Sequence, residues 1–280
     1  MISRVASGMK KTVAVAALAV LCGALPACNR FSSSGAAKED LALVPKDTAA
    51  VFVVNLKQAR GTRVFQKVIE ARDKDPNAAK EYKEFVQRCN LDPLNDIETL
   101  FLAVPPNAQQ TRDYALLMRG KYQPDAIAAC ARKNAELQKQ TLSEVDYNGV
   151  RIYTSGERNP QLAILGKRAV VMGSNDWIRR VIDLHAGKTP TSESAKENKE
   201  LASMLGRTRT GDAFWFAGQV PAAMAERLRS SPQLGAAASL HSISGSIDLA
   251  KGLGVHADLD LGSDADATTL QTSVTGAITN

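Results

Sequence analysis

The 280-residue chain has three histidines, and two of them, His241 and His256, fall in one stretch of alternating apolar residues near its end. Imidazole exchanges protons near neutral pH, so acid–base chemistry is sought there first. The positions Leu253, Val255, Ala257, Leu259 and Leu261 are apolar, as are Ile243, Ile247 and Leu249 before them. Matching the two faces across a hairpin demands a turn of Ala250, Lys251 and Gly252, because a slip of one residue reverses every side chain. In that register His256 faces outward opposite Ser246, with Asp258 two residues on and Asp248 on the diagonal, while His241 points to the other face. Ser246, His256 and either aspartate are the residue types of a nucleophile, a base and its orienter. A flat sheet face, however, supplies no strained elbow and no paired amide donors for an oxyanion. A solvated polar face accounts for the same residues.

Other chemistry finds less support. The two histidines do not share a face, so they do not share a metal. Asp258, Asp260, Asp264 and Asp266 lack the spacing of a calcium loop and read as strand-face charge followed by a helix-start carboxylate pair. His185 sits near the end of an amphipathic helix, where the helix dipole favours a cation. No phosphate-binding loop, G-x-G-x-x-G, G-x-S-x-G, H-E-x-x-H or C-x-x-C occurs. The expectation is a protein that is not an enzyme, with no catalytic, cofactor-binding or metal-ligating residue.

The N-terminus carries a different kind of chemistry. Arg4, Lys10 and Lys11 precede the apolar run Thr12 to Leu25, too short as a helix to cross a hydrocarbon layer and so read as a secretory signal. The run ends at Leu25-Pro26-Ala27-Cys28, then polar Asn29 to Gly35. This tetrapeptide resembles the lipobox of bacterial lipoproteins, with Leu25, Ala27 and Cys28 at the family's positions and Pro26 a less usual residue between them. The resemblance implies diacylglyceryl attachment at Cys28, cleavage before it, and a palmitate-bearing chain held in the membrane. Asn29, rather than Asp, after the lipidated cysteine implies the outer membrane over the inner, with the body in the periplasm or at the cell surface. Two or three acyl chains hold a protein to a bilayer for practical purposes indefinitely. Residues 28–40 then act as a tether of about 20 Å if flexible.

Processing changes the arithmetic. Removal of residues 1–27 leaves 253 residues and lowers the side-chain charge from +6 to +3. Cys22 leaves with the signal, and only Cys89 and Cys130 remain besides the lipid site. In an oxidising compartment they are either two buried thiols or a disulfide between helices on one side of a sheet.

The elements that position these residues follow from periodicity. Lys46 to Leu56 reads as a central strand buried on both faces. Helices follow with the stripes Val64, Phe65, Val68, Ile69 and Tyr82, Phe85, Val86, Cys89. Strands at about Ile97 to Val104 and Asp113 to Gly120 lead to a helix opened by Pro124. A strand at Val150 to Thr154, a hairpin turning at Gly166-Lys167 and a helix from Ser174 to Gly187 complete the first unit. Residues 188–211 are polar, carry Pro190, and read as a linker. After it Asp212 to Asn280 repeats the order strand, helix, strand, strand, helix seen in Asp47 to Gln140. The expected fold is therefore α+β: two related units, 41–187 and 212–280, with antiparallel sheets and helices packed on one face. The body also resembles uncharacterised exported bacterial lipoproteins of repeated strand and helix modules, a likeness that implies no activity.

These readings lead to a non-enzymatic envelope protein with a binding or structural role, its partners the membrane and an envelope protein or polymer. Basic clusters at Lys167-Arg168, Arg179-Arg180 and Arg207 to Arg209 lack interleaved aromatics, so nucleic acid is not expected as a partner. The first alternative is a carrier of an amphipathic or lipid ligand, with Trp177, Phe214, Trp215 and Phe216 lining a pocket. The second is a hydrolase using the His256 face.

Overall fold

The computed structural model describes residues 4–7, 11–14, 35–156, 159–167, 169–229 and 235–279. Its strands are β1 (Arg4–Ser7), β2 (Lys11–Ala14), β3 (Ala50–Asn55), β4 (Ile97–Val104), β5 (Ala115–Gly120), β6 (Ser143–Tyr147), β7 (Val150–Thr154), β8 (Gln161–Leu165), β9 (Ala169–Gly173), β10 (Phe214–Gln219), β11 (Leu240–Asp248) and β12 (Gly254–Leu261). They form one sheet in the order β2-β1-β12-β11-β10-β3-β4-β5-β9-β8-β7-β6. Every pairing is antiparallel except that of β1 with β12.

The helices are α1 (Gly35–Leu41), α2 (Leu56–Ala59), α3 (Arg63–Lys74), α4 (Pro76–Cys89), α5 (Pro93–Asp96), α6 (Ala108–Thr111), α7 (Pro124–Leu137), α8 (Asn175–His185), α9 (Lys199–Leu205), α10 (Ala222–Arg229) and α11 (Asp264–Thr279). Their starts are written locally. Thr62 accepts from the Phe65 amide to cap α3, and Asp75 accepts from the Asn77 and Ala78 amides ahead of Pro76 to cap α4. Gly187 takes the left-handed conformation after α8, φ +67°.

The pleat sends alternate residues to two faces. On the first face Val51, Val53, Phe101, Leu117, Ile152, Val171 and Trp215 meet Trp177, Ile178, Val181 and Ile182 of α8, Leu201 and Met204 of α9, and Leu41 of α1. The second face is covered in two separate places. Towards β8 and β9, α4 and α7 bury Cys89, Ile127 and Cys130 with Val170. Towards β12, α11 and the turn at Gly235–Ser239 bury Ala237, Leu261, Ala267 and Leu270.

The coarse expectation of antiparallel sheet and helices holds, and four particulars differ. The strands join in one sheet, because β10 pairs with β3 from Phe214↔Val54 to Gly218↔Ala50. Helices lie on both faces, since the apolar stripe of α8 and the α9 residues complete the first-face core. Residues 188–211 are no linker: they hold two 3-10 turns and α9, and Ala195, Leu201 and Met204 are buried. Polar composition hid this because few apolar residues anchor the segment. Finally, β3 is buried on one face only, with Phe52 on the other 39% exposed.

Strand β6 escaped the sequence reading, although Asn148-Gly149 ahead of β7 takes the positive φ values, 51° and 78°, of a tight hairpin turn. Of the N-terminal segment, Cys28 and most of residues 1–34 lie outside the described residues.

Two links tie the helices down. Cys89 and Cys130 are bonded, their Cα atoms 4.5 Å apart, joining α4 to α7. The other link is in α1, within the segment expected to act as a tether: Asp40 is 1% exposed and bonded to Arg119 Nε of β5. Burial pushes the Asp40 carboxyl up to about 6, against the opposing pull of the Arg119 charge, and Oδ2 has no hydrogen-bond partner within the described protein.

Closing a loop of this length by the disulfide is worth about 4 kcal/mol in the chain-entropy account. Reduction, or Cys89→Ala with Cys130→Ala, lowers unfolding stability by up to that amount, as read from denaturant midpoints. Asp40 gives a pH signature. The folded chain holds its proton more tightly than the unfolded one, so its favourable contribution is complete below about pH 4 and is lost as pH rises through about 6. Asp40→Asn removes that slope, a difference of ~3 kcal/mol at most across the window, measured as unfolding free energy of both chains from pH 4 to pH 7.

Candidate functional site

The hairpin anticipated around His256 forms in the expected register: Ser246 pairs with His256, Ser244 with Asp258 and Ile247 with Val255. Its environment is different from that expected. The Ser246–His256 side belongs to the first face, where α9 packs over β10 and β11. Ser246 and Ser244 are each 1% exposed, and Thr208 and Thr210 are buried beside α9. This polar face is interior because the 188–211 segment, read as a linker, folds over it.

The bonds there do not assemble a triad. The Ser246 hydroxyl donates to Asp212 Oδ2 at 2.5 Å, and Arg209 Nη1 lies 2.6 Å from His256 Nε2. A guanidinium only donates, so Nε2 accepts and the imidazole proton sits on Nδ1. Burial and then the Arg209 charge hold the His256 pKa below its usual value. The nucleophile type is thus engaged by a carboxylate and the base type by a cation. Asp248 accepts from the Ala250 amide in the turn. Asp266 is bonded to Ser263 at the start of α11, apart from Asp258 and Asp260 on β12, and no cluster of three metal-ligating residues occurs among the described residues.

The basic clusters are likewise dispersed. Arg180 makes a bidentate pair with Asp47 at 2.6 and 3.0 Å, beside a shallow cleft of about 450 Å³. Arg179 stacks over Tyr147, while Arg209 belongs to His256.

The four aromatic residues expected to line a pocket are divided by the pleat. Trp177 and Trp215 are buried in the first-face core, Trp215 edge-on to Phe101. Phe214 and Phe216 point the other way and join Phe52, which stacks on Phe216 with ring centroids 6.2 Å apart and 18° between planes. Room for the Phe216 ring comes from Gly245 on β11, where a Cβ atom would lie 3.0 Å from ring atom Cε1. The register carries this cluster across the sheet: Phe52 pairs with Leu102 and Leu102 with Leu116, while Val54 pairs with Leu100. These residues lie between the two helix-covered patches and belong to neither. Phe52 is exposed, and Val54, Leu100, Leu102, Leu116, Phe214 and Phe216 are half-buried.

Among the described residues this strip of the second face lies outside every buried cluster. Four neighbouring strands, β10, β3, β4 and β5, are apolar on both faces, a composition suited to strands covered on both sides. Among the described residues their first face is covered, and their second only in part. The sequence reading missed Phe52 because it took Lys46 to Leu56 as buried on both faces, and it placed Leu100, Leu102 and Leu116 in strands without assigning their faces. No helix among the described residues is long and apolar enough to cross a membrane.

No protein-family model matches the chain, and no curated protein matches it. Among solved structures it is similar to TP0453. Crystal form III gives a TM-score of 0.44 at 14% identity, covering 84% of this chain and 85% of that one. Crystal form I gives 0.45 at 12% identity, covering 84% of each.

Proposed function

We propose that the chain is a lipid-anchored protein of the bacterial cell envelope, acylated at Cys28, that acts by binding and holds the apolar part of an amphipathic molecule on the strip around Phe52 and Phe216. The observation that carries this reading is the mismatch between composition and cover on β10, β3, β4 and β5. Fully covering a large apolar side chain contributes roughly 1.5 to 3 kcal/mol, so an occupant that closes even part of the strip gains several kcal/mol. Phe216, Phe52, Leu102 and Leu116 stand in one row across four strands, a surface suited to an acyl chain laid across them. The hydrolase alternative loses support from the commitments of Ser246 to Asp212 and of His256 to Arg209.

We also propose that the body arose by internal duplication. In support, the order of a strand, helical segment, two strands and a helix recurs as β3 to α7 and β10 to α11, with the pair α3 and α4 in the first where the second has α10. The order β12-β11-β10-β3-β4-β5 is symmetric about the β10–β3 pair.

Two measurements test the reading. Cys28→Ser abolishes metabolic labelling by radioactive palmitate and releases the protein from membranes, and retained label or retained membrane association overturns the anchor. The chain purified without detergent from Asn29 onward carries organic-solvent-extractable lipid by mass spectrometry, and Phe52→Asp with Phe216→Asp reduces it at least fivefold. A clean spectrum from the unsubstituted chain overturns the carrier role.

A further inference from the structure

Helix α3 is amphipathic, yet it buries none of its residues. Of its stripe, Phe65 and Ile69 are half-buried while Val64 is 39% and Val68 58% exposed, and α3 packs against α4. Such a stripe normally faces a core, because a helix gains most of its stability from packing that face. Around it the chain is basic: residues 56–74 hold Lys57, Arg60, Arg63, Lys67, Arg72 and Lys74 against Glu70 and Asp73, a net charge of +4.

The position of α3 relative to the anchor follows from the sheet register. Asn55 pairs with Thr99, and Thr99 with Arg119, so the three lie in one row across β3, β4 and β5. Asn55 caps α2, which leads into α3, while Arg119 binds Asp40 of α1. With strands about 4.8 Å apart, the departure point of α2 and α3 lies on the order of 10 Å from the docking point of α1. From Cys28 to the start of α1 at Gly35 are seven Cα steps, a reach of at most about 25 Å whatever the path. An acyl group on Cys28 therefore keeps this end of the sheet, and α3 with it, within reach of the bilayer surface.

We propose that α3 is a membrane-docking helix, lying in the interface of an anionic bilayer with Val64 and Val68 in the acyl boundary and Arg63, Lys67 and Lys74 among the headgroups. The hydrophobic stripe and the positive charge act together at such a surface, and each basic residue near an anionic bilayer contributes favourably. The placement argument rests on the anchor at Cys28. The affinity of α3 does not, which separates the two experimentally.

The test uses the chain from Asn29 onward, which has no acyl group and retains every residue of the three buried clusters, the first being Leu41. It is mixed with vesicles of phosphatidylglycerol and phosphatidylethanolamine, or of phosphatidylcholine alone, and sedimented. The expected result is binding to the anionic vesicles and a fall in bound fraction of at least fivefold with Val64→Glu and Val68→Glu. Both positions are exposed, so far-UV circular dichroism stays unchanged. Absence of binding by the unsubstituted chain, or equal binding by the double variant, overturns the proposal. Failure of palmitate labelling in cells overturns the anchor alone.

Discussion

Everything in the body depends on the pairing of β3 with β10. Some 160 residues separate them, and their antiparallel register from Ala50↔Gly218 to Val54↔Phe214 turns two sets of strands into one surface with two continuous faces. Without it Trp215 has no Val53 beside it on the first face, and Phe216 has no Phe52 on the second. A contact so distant in sequence brings a large loop-closure cost before it gains anything. What offsets that cost is the first-face core, where α8 and α9 meet both sets of strands at once.

The two faces are finished differently. The first is closed even over polar groups: Ser246, Thr208 and Thr210 are buried there and need partners, which Asp212 supplies for Ser246. The second is closed only over its flanks, by helices that the disulfide and the turn before β11 hold in place. Between them the aromatic strip keeps part of its apolar surface in water, and α3 adds a second incompletely covered stripe nearby. Soluble bodies rarely keep contiguous apolar surface of this sort without an occupant.

How much of this was legible in the sequence depended on how local each signal was. The helix start at Pro124, the left-handed Gly187 and the register of the last hairpin were all readable, because each is set by neighbours in the chain. The union of the strands into one sheet was not, since nothing local states that β10 seeks β3. The 188–211 segment misled for a related reason: three side chains, Ala195, Leu201 and Met204, fix it to the core, too few to register as a period. At the site, pattern placed Ser246 opposite His256 but left undecided which side of the hairpin met solvent. Arg209 and Asp212, which engage that pair, come from the segment read as a linker.

The ion pair between Asp40 and Arg119 has one more consequence, and it is mechanical. A chain acylated at Cys28, as proposed, would pass every lateral movement of the membrane to the first described element after that residue. Here that element, α1, is fastened to β5, an interior strand hydrogen-bonded on both sides to β4 and β9. Load entering there is shared across two ladders instead of unzipping a sheet margin one bond at a time. Under the proposed acylation of Cys28, a pull on the lipid reaches the body through α1 and leaves its strands in register.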